Sequence, residues 1–386
     1  MTPAPRTSLG ELAAVFGRLG TISFGGPVVH VAMMEDEVVA RRQWLTREEF
    51  LDYVGATNLI PGPNSTELAI HIGYSRRGWP GLVVAGVSFI LPAAVIVAAI
   101  GWLYLRVGTV PAAAGLLYGI KPVVIAIVLQ ALWRLARTAL ASWQLGLLGA
   151  VAVLAFAGGV HELLVLGGSG FVMGVWRGRP RDGPGRAVGS WGWMPVVAGG
   201  MLSTGAPVVA GTVPFSLAVL GATFVKIGAV LFGSGYVLLA FLRQDFVERL
   251  GWLTEGQLLD AVAVGQMTPG PIFTAATFVG YLLGGGWGAV VATVGIFLPA
   301  FVFVALTGVI VRRIRHSPAA RAVIAGVNVA SLALMAVVTW QLARSALVDP
   351  PTIVVALASA AVLLRSKLNS AWLVLAGAMV GVARMW

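Results

Sequence analysis

Residues 16–27 read FGRLGTISFGGP and residues 41–63 read RRQWLTREEFLDYVGATNLIPGP; residues 224–235 read FVKIGAVLFGSG and residues 249–271 read RLGWLTEGQLLDAVAVGQMTPGP. The two sets register without a gap. Phe16 pairs with Phe224, Gly20 with Gly228, Phe24 with Phe232 and Gly25 with Gly233. Arg41 then pairs with Arg249, Trp44-Leu45-Thr46 with Trp252-Leu253-Thr254, Asp52 with Asp260, and Pro61-Gly62-Pro63 with Pro269-Gly270-Pro271. One order of motifs kept over about fifty positions marks an internal duplication.

The medium follows from composition. The chain has 386 residues, 58% of them hydrophobic and 11% charged, with a mean hydropathy of +0.90. A soluble domain cannot hide that much apolar surface. Many runs approach or exceed the ~18 apolar residues that cross a hydrocarbon layer. They are continuous rather than alternating, which excludes a β-barrel. The expected class is an all-α polytopic membrane protein. Its 50 Gly and 20 Pro sit inside the apolar runs, where glycine allows close helix packing and proline breaks helices. The net charge of +11 comes from arginines in short loops, so it sets orientation and implies no nucleic-acid partner. There is no Cys, which removes disulfides and thiol chemistry. No metal or cofactor is expected. The N-terminus has no signal-peptide pattern.

Apolar spans fall near 11–33, 50–75, 79–105, 110–133, 143–158 and 161–176, then near 194–212, then near 217–240, 257–283, 287–311, 320–343, 350–364 and 370–385. Six, one and six give about 13 transmembrane helices. The segments are an N-terminal repeat 1–176, an Arg-rich loop with a linking helix 177–212, and a C-terminal repeat 213–386. If every span crosses, the odd central span inverts the second repeat. The arginine bias then places the N-terminus in the cytoplasm and the C-terminus outside a plasma membrane. The crossing path is our expectation. In the alternative path the Pro-Gly-Pro segments are re-entrant hairpins with arms of about half the membrane, and the halves become parallel with the central span kept.

Duplicated apolar halves with interrupted helices at matching places are the pattern of a secondary transporter, with the site at the breaks. Pro61, Pro63, Pro269 and Pro271 lack the amide donor and clash with the preceding turn, so each helix stops and restarts. The restart exposes N–H groups at a positive dipole end, an anion site, next to Asn64, Ser65 and Thr66 in one half and Ile272 and Thr274 in the other. Thr268 and Gly270 precede the second restart. Breaks at Ser23, Gly25 and Gly26, and at Gly233 and Ser234, allow close backbone approach. Arg18 and Lys226 share a repeat position. A cation inside a span is costly, which makes both candidates for attracting the anion. Asp52 and Asp260 also correspond; they serve proton coupling, or stabilise helix starts beside the capping boxes Thr46/Glu49 and Thr254/Gln257, or pair with Arg. Glu67 and His71, at i and i+4, share a helix face. They form a proton relay or a buried hydrogen-bonded pair. His30, Lys121, His161 and Glu162 are read as structural. GxxxxGK[ST], HExxH and GxSxG are absent from the sequence, so no enzymatic chemistry is expected.

On FGGP at 24–27, the Trp-Leu-Thr segment with Asp52, NLIPGPNST at 58–66 and QMTPGP at 266–271, the chain resembles the chromate ion transporter family in its long form of two fused halves. The resemblance implies export of chromate from the cytoplasm, driven by the proton gradient. The residues themselves reach only an oxyanion, and a sulfate or related oxyanion uptake carrier is the alternative. The second half has FGSG where the family pattern is FGGP, so the two half-sites are not equivalent. The other partner is the lipid bilayer; glycine-rich faces permit a homodimer.

Overall fold

The computed structural model describes residues 7–24, 26–107, 111–177, 214–232, 235–315, 317–366 and 370–384. The central span expected at 194–212 lies outside them, as do Gly25, Gly233 and Ser234. Apart from short connections the described residues are helical, and they contain no strands.

The first half contains α1 (Leu9–Ile22), α2 (Pro27–Glu35, continued by a π-helical turn Asp36–Arg41), α3 (Arg47–Thr57), α4 (Asn64–Val107), α5 (Pro111–Ala139), α6 (Trp143–Ala157) and α7 (Glu162–Arg177). The second contains α8 (Leu217–Val230), α9 (Leu238–Leu242, between a 3-10 turn Gly235–Val237 and a π turn Arg243–Arg249), α10 (Glu255–Met267), α11 (Ala275–Arg315, after a 3-10 turn Ile272–Thr274), α12 (Pro318–Ala346), α13 (Pro350–Arg365) and α14 (Ser370–Ala383). The duplication is reproduced in small detail. Both expected capping boxes form, at Thr46/Glu49 and Thr254/Gln257. Wide π turns recur at matching places, putting Glu37 and Asp245 indoors.

The tertiary contacts decide the path of the broken segments. Arg42, after α2, is 2.5 Å from Glu11 at the start of α1. The α1–α2 segment therefore enters and returns to one face, with Ser23 and Gly26 at its tip. Tyr53 of α3 stacks on His71 of α4, with ring centroids 5.6 Å apart. Eighteen residues of straight helix would separate them by about 27 Å, so the Pro-Gly-Pro segment is also a hairpin. The second half repeats both turns. Phe224 of α8 lies 4.9 Å from Phe246, and Tyr104 touches both Asp260 of α10 and Phe278 of α11. The expected single spans 11–33, 50–75, 217–240 and 257–283 are thus four re-entrant hairpins, the second of the two paths left open for Pro-Gly-Pro, extended to the glycine breaks. The physical reason is that backbone freed at mid-membrane must be buried in protein, and meeting hairpin tips bury it.

The long helices α4 and α11 are themselves bent. At Arg77–Gly78 (φ −142° and 60°) and Gly284–Gly285 (φ −139° and 59°) the backbone leaves the helix. A Cβ placed on Gly73 would lie 2.3 Å from the Gly81 carbonyl, and one on Gly280 would lie 2.2 Å from that of Gly288. Each helix therefore folds into a short leg (64–76; 272–283) and a long leg (79–107; 286–315). A long leg measures about 43 Å, enough to cross about 30 Å of hydrocarbon. Among the described residues, four helical stretches have the length and apolarity to cross, at 64–106, 115–139, 272–306 and 318–346.

The halves are inverted. Gly86 faces Phe301, while Gly101 and Tyr104 at the far end of the first long leg lie beside Tyr281 and Phe278, next to the second half's own turn at Gly284–Gly285. Parallel halves would put both turns on one face. The outer helices are exchanged. α6 and α7 pack on α12 of the other half, and α13 and α14 pack on α5. Bare glycine surfaces allow this, as at Gly119 against Gly377 and at Gly326 against Ser169. In lipid such close packing, rather than expulsion of water, drives helix association.

Candidate functional site

Four hairpin tips meet at the centre, and they meet crosswise. In Pro-Gly-Pro only the glycine keeps an amide donor. Gly62 N–H donates to the Leu231 carbonyl of the other half at 2.8 Å, and Gly270 N–H donates to the Ser23 carbonyl at 2.9 Å. Gly62 and Gly270 correspond in the repeat, as do Ser23 and Leu231, so the two bonds are one contact made twice. Each Pro-Gly-Pro tip is latched to the glycine break of the opposite half. Sequence alone placed the four breaks in register within each half; it did not show that they pair between halves.

The return legs all start at these tips and the inbound legs all end there. Positive and negative helix ends are therefore brought to one place. The anion-binding capacity lies in particular groups. Ser65, Thr66, Ile272 and Thr274 are buried in the first turns after the tips. Asn64 donates to Asn58 at 2.7 Å, bracing the first tip. Thr268 and Thr274 hydroxyls donate to the Val264 and Pro271 carbonyls. Ser23 is buried; its carbonyl also faces His30 Nε2 at 3.1 Å. Gly26, in the left-handed region at φ 84°, opens α2 with Pro27 at its first position.

Glu67 is fully buried, and its Oε1 lies so close to Gly62 that a Cβ there would be 2.3 Å away. Among the described residues neither of its oxygens has a hydrogen-bond partner, nor has the Thr66 hydroxyl or Gln266 Nε2. Glu67 and His71 therefore do not form a hydrogen-bonded pair; the His71 ring is stacked on Tyr53 instead. An ionised carboxylate buried without a partner is costly. Gln266 was not singled out from sequence, although it is the repeat counterpart of Asn58.

The paired cations stand in different surroundings. Arg18 is exposed on α1. Lys226 Nζ lies 2.7 Å from Asp245 and 3.4 Å from Glu162. Arg249 also binds Asp245 at 2.9 Å, and His161 faces Glu162 at 3.3 Å. Lys226 is thus part of an ion cluster joining α8, the π turn and α7 of the other half. Both carboxylates are buried, and removing the lysine leaves Asp245 with Arg249 alone and Glu162 with His161 alone. Lys226→Ala is expected to destabilise the fold by about 2–3 kcal/mol, below the full value for a buried pair because the ammonium is partly exposed. Thermal unfolding in detergent reads this, with Lys226→Arg restoring most of the loss. An unchanged Tm would return Lys226 to the role of a free anion attractor.

The equivalent aspartates also differ. Asp52 is exposed on α3, whereas Asp260 is buried and bound by Tyr104 Oη at 2.8 Å, with Lys121 Nζ at 3.5 Å. Lys121 and Tyr104 come from α5 and the first long leg, elements distant in sequence from Asp260, so no motif announced them.

The chromate transporter family model matches residues 10–175 and 218–382. The chain is 33% identical to a chromate transport protein of Cupriavidus metallidurans, over 97% of this chain and 92% of that one. It is 30% identical to a chromate transport protein of Pseudomonas aeruginosa, over 98% and 92%. It is 29% identical to a probable chromate transport protein of Synechococcus elongatus, over 92% and 89%. No solved structure matches the chain.

Proposed function

This chain belongs to the chromate transporter family, and from that premise we propose that it exports chromate from the cytoplasm by alternating access around the crossed hairpin tips, driven by the proton gradient. The observation that carries the reading is the pair of bonds Gly62–Leu231 and Gly270–Ser23. An inverted repeat with equivalent contacts on either side of its centre has two gates that can open in turn. A tetrahedral dianion suits the amides and hydroxyls at Asn64, Ser65 and Thr66 and at Ile272 and Thr274, with Ser23, Gly26, Thr268 and Gly270 lining the approach. Gly25, Gly233 and Ser234 belong to the same tips by sequence. Glu67 carries the coupled proton, with His71 and Asp260 on its route and Asp52 at the opposite mouth. Arg18 and Lys226 act at longer range, Lys226 through its carboxylate partners.

The hairpin path supports the orientation. It gathers Arg41, Arg42, Arg47, Arg76, Arg77, Arg134, Arg137, Arg321 and Arg365 on the face from which the first half enters, against Arg106, Arg243, Arg249, Arg344 and Arg384 on the other. The first face is cytoplasmic by the positive-inside rule, with the plasma membrane as the location.

The test is labelled chromate uptake into everted vesicles or proteoliposomes, with and without an imposed proton gradient and with sulfate as competitor. Gradient-dependent accumulation that sulfate inhibits weakly is expected. Saturable sulfate flux without chromate flux would overturn the substrate and leave the site.

A further inference from the structure

On the face from which the second half enters, a cavity of about 430 Å³ is bounded by Tyr104 of the first long leg, Lys121 of α5, Thr254 at the cap of α10, and Gly256, Gln257 and Asp260 of α10. Its size is that of a small-ligand pocket. Its electrostatics are unbalanced. The Lys121 ammonium rests on the first turn of α10, where a Cβ on Gly256 would lie 3.3 Å from Nζ. A cation at the positive end of a helix is unfavourable. Its carboxylate contact is the 3.5 Å approach to Asp260 Oδ1, too long for a strong charge-assisted bond. Asp260 is 3% exposed, and among the described residues Oδ1 has no hydrogen-bond partner, while Oδ2 accepts from Tyr104. An ammonium has three N–H groups, and this contact occupies one of them loosely. The nearby Asp349 is already engaged by Tyr118 and Arg384.

We propose that this cavity is a second oxyanion site, separate from the hairpin tips, in which a tetrahedral dianion takes the Lys121 ammonium and the amides of Glu255 and Gly256, which the capping box leaves unpaired at the start of α10, and displaces Asp260 from the lysine. The other half has no equivalent. Aligning Leu-Ala-Arg at 135–137 with 342–344 puts Asn328 at the position of Lys121, and Asp52 there is exposed. The transporter is therefore asymmetric, with a cationic vestibule at one mouth. As a waypoint on the transport path the site rests on the reading above; as a binding site it does not.

Two substitutions separate this from a structural ion pair, because they act in opposite directions. Chromate and sulfate are titrated calorimetrically into the protein in nanodiscs. Lys121→Gln is expected to weaken or remove one binding event by at least about tenfold, the value of hydrogen bonds to a charged group. Asp260→Asn removes the competing carboxylate and is expected to tighten the same event about threefold, as for a partly screened pair. Weakening by both variants together, or binding by Lys121→Gln equal to wild type, would overturn the proposal. Wild-type chromate flux in the same preparation keeps the two readings apart. Flux with no effect of Lys121 on binding removes the vestibule site alone; Lys121-dependent binding without flux supports the vestibule site and removes the transport reading alone.

Discussion

Replacing Glu67 by Gln is expected to abolish gradient-driven accumulation of chromate while leaving chromate exchange at zero gradient. Glutamine keeps the size of the side chain and its place against Gly62, and it removes the proton that the carboxyl can carry. Glu67 is fully buried, without a hydrogen-bond partner among the described residues, at the tip latched to Leu231. Ionising this group therefore carries the cost of an unpaired buried charge, which a ligand arriving at the tip would change. Loss of a positioned proton carrier costs about 10²–10⁴-fold in steps that depend on it, so uphill accumulation should fall to background. The measurement is a pair of assays on one proteoliposome preparation, uphill uptake under an imposed pH gradient and counterflow of labelled chromate without one. Uphill uptake at the wild-type rate would remove Glu67 from coupling. Loss of counterflow as well would place it in substrate binding instead.

Substituting alanine at the two Pro-Gly-Pro glycines is expected to separate their roles. Gly62 has φ 136° and Gly270 φ 86°, which a side chain makes costly by about 1–2 kcal/mol each. Beyond that shared strain their neighbours differ. At Gly62 the new methyl meets the end of the Glu67 side chain, at 2.3 Å from Oε1, and that end can swing away. Gly62→Ala should therefore fold and lose coupling, because the carboxyl is displaced. At Gly270 the methyl meets Ala93 Cβ at 2.7 Å and the Gly20 carbonyl at 2.9 Å. Neither can move without moving α1 or the first long leg. Gly270→Ala should lower Tm by several degrees more than Gly62→Ala and break the latch to Ser23. Gly78→Ala is the control for backbone strain alone, since φ is 60° and nothing lies within 4 Å. Equal Tm losses for all three would show that the tips are not packed against each other.

The duplication, the all-helical membrane class and the positions of the breaks were all legible in the sequence. Hydropathy and proline report local chemistry: a run of apolar residues needs lipid or protein around it, and Pro61-Gly62-Pro63 stops a helix wherever it is put. The capping boxes at Thr46 and Thr254 were legible for the same reason, since partner and backbone lie three residues apart. Whether a stopped helix continues across or turns back was decided by residues distant in sequence, such as Arg42 returning to Glu11 and Phe246 to Phe224. The same holds for charge. Lys226 reads as a costly lone cation until Asp245 and Glu162 are brought to it, and Lys121 reads as ordinary until Asp260 and the start of α10 come beneath it. The sequence by itself determined where backbone groups would be left unsatisfied in the membrane. Only the tertiary structure decided which groups satisfy them, because low-dielectric surroundings make every unpaired donor or charge seek a partner at whatever sequence distance the fold supplies.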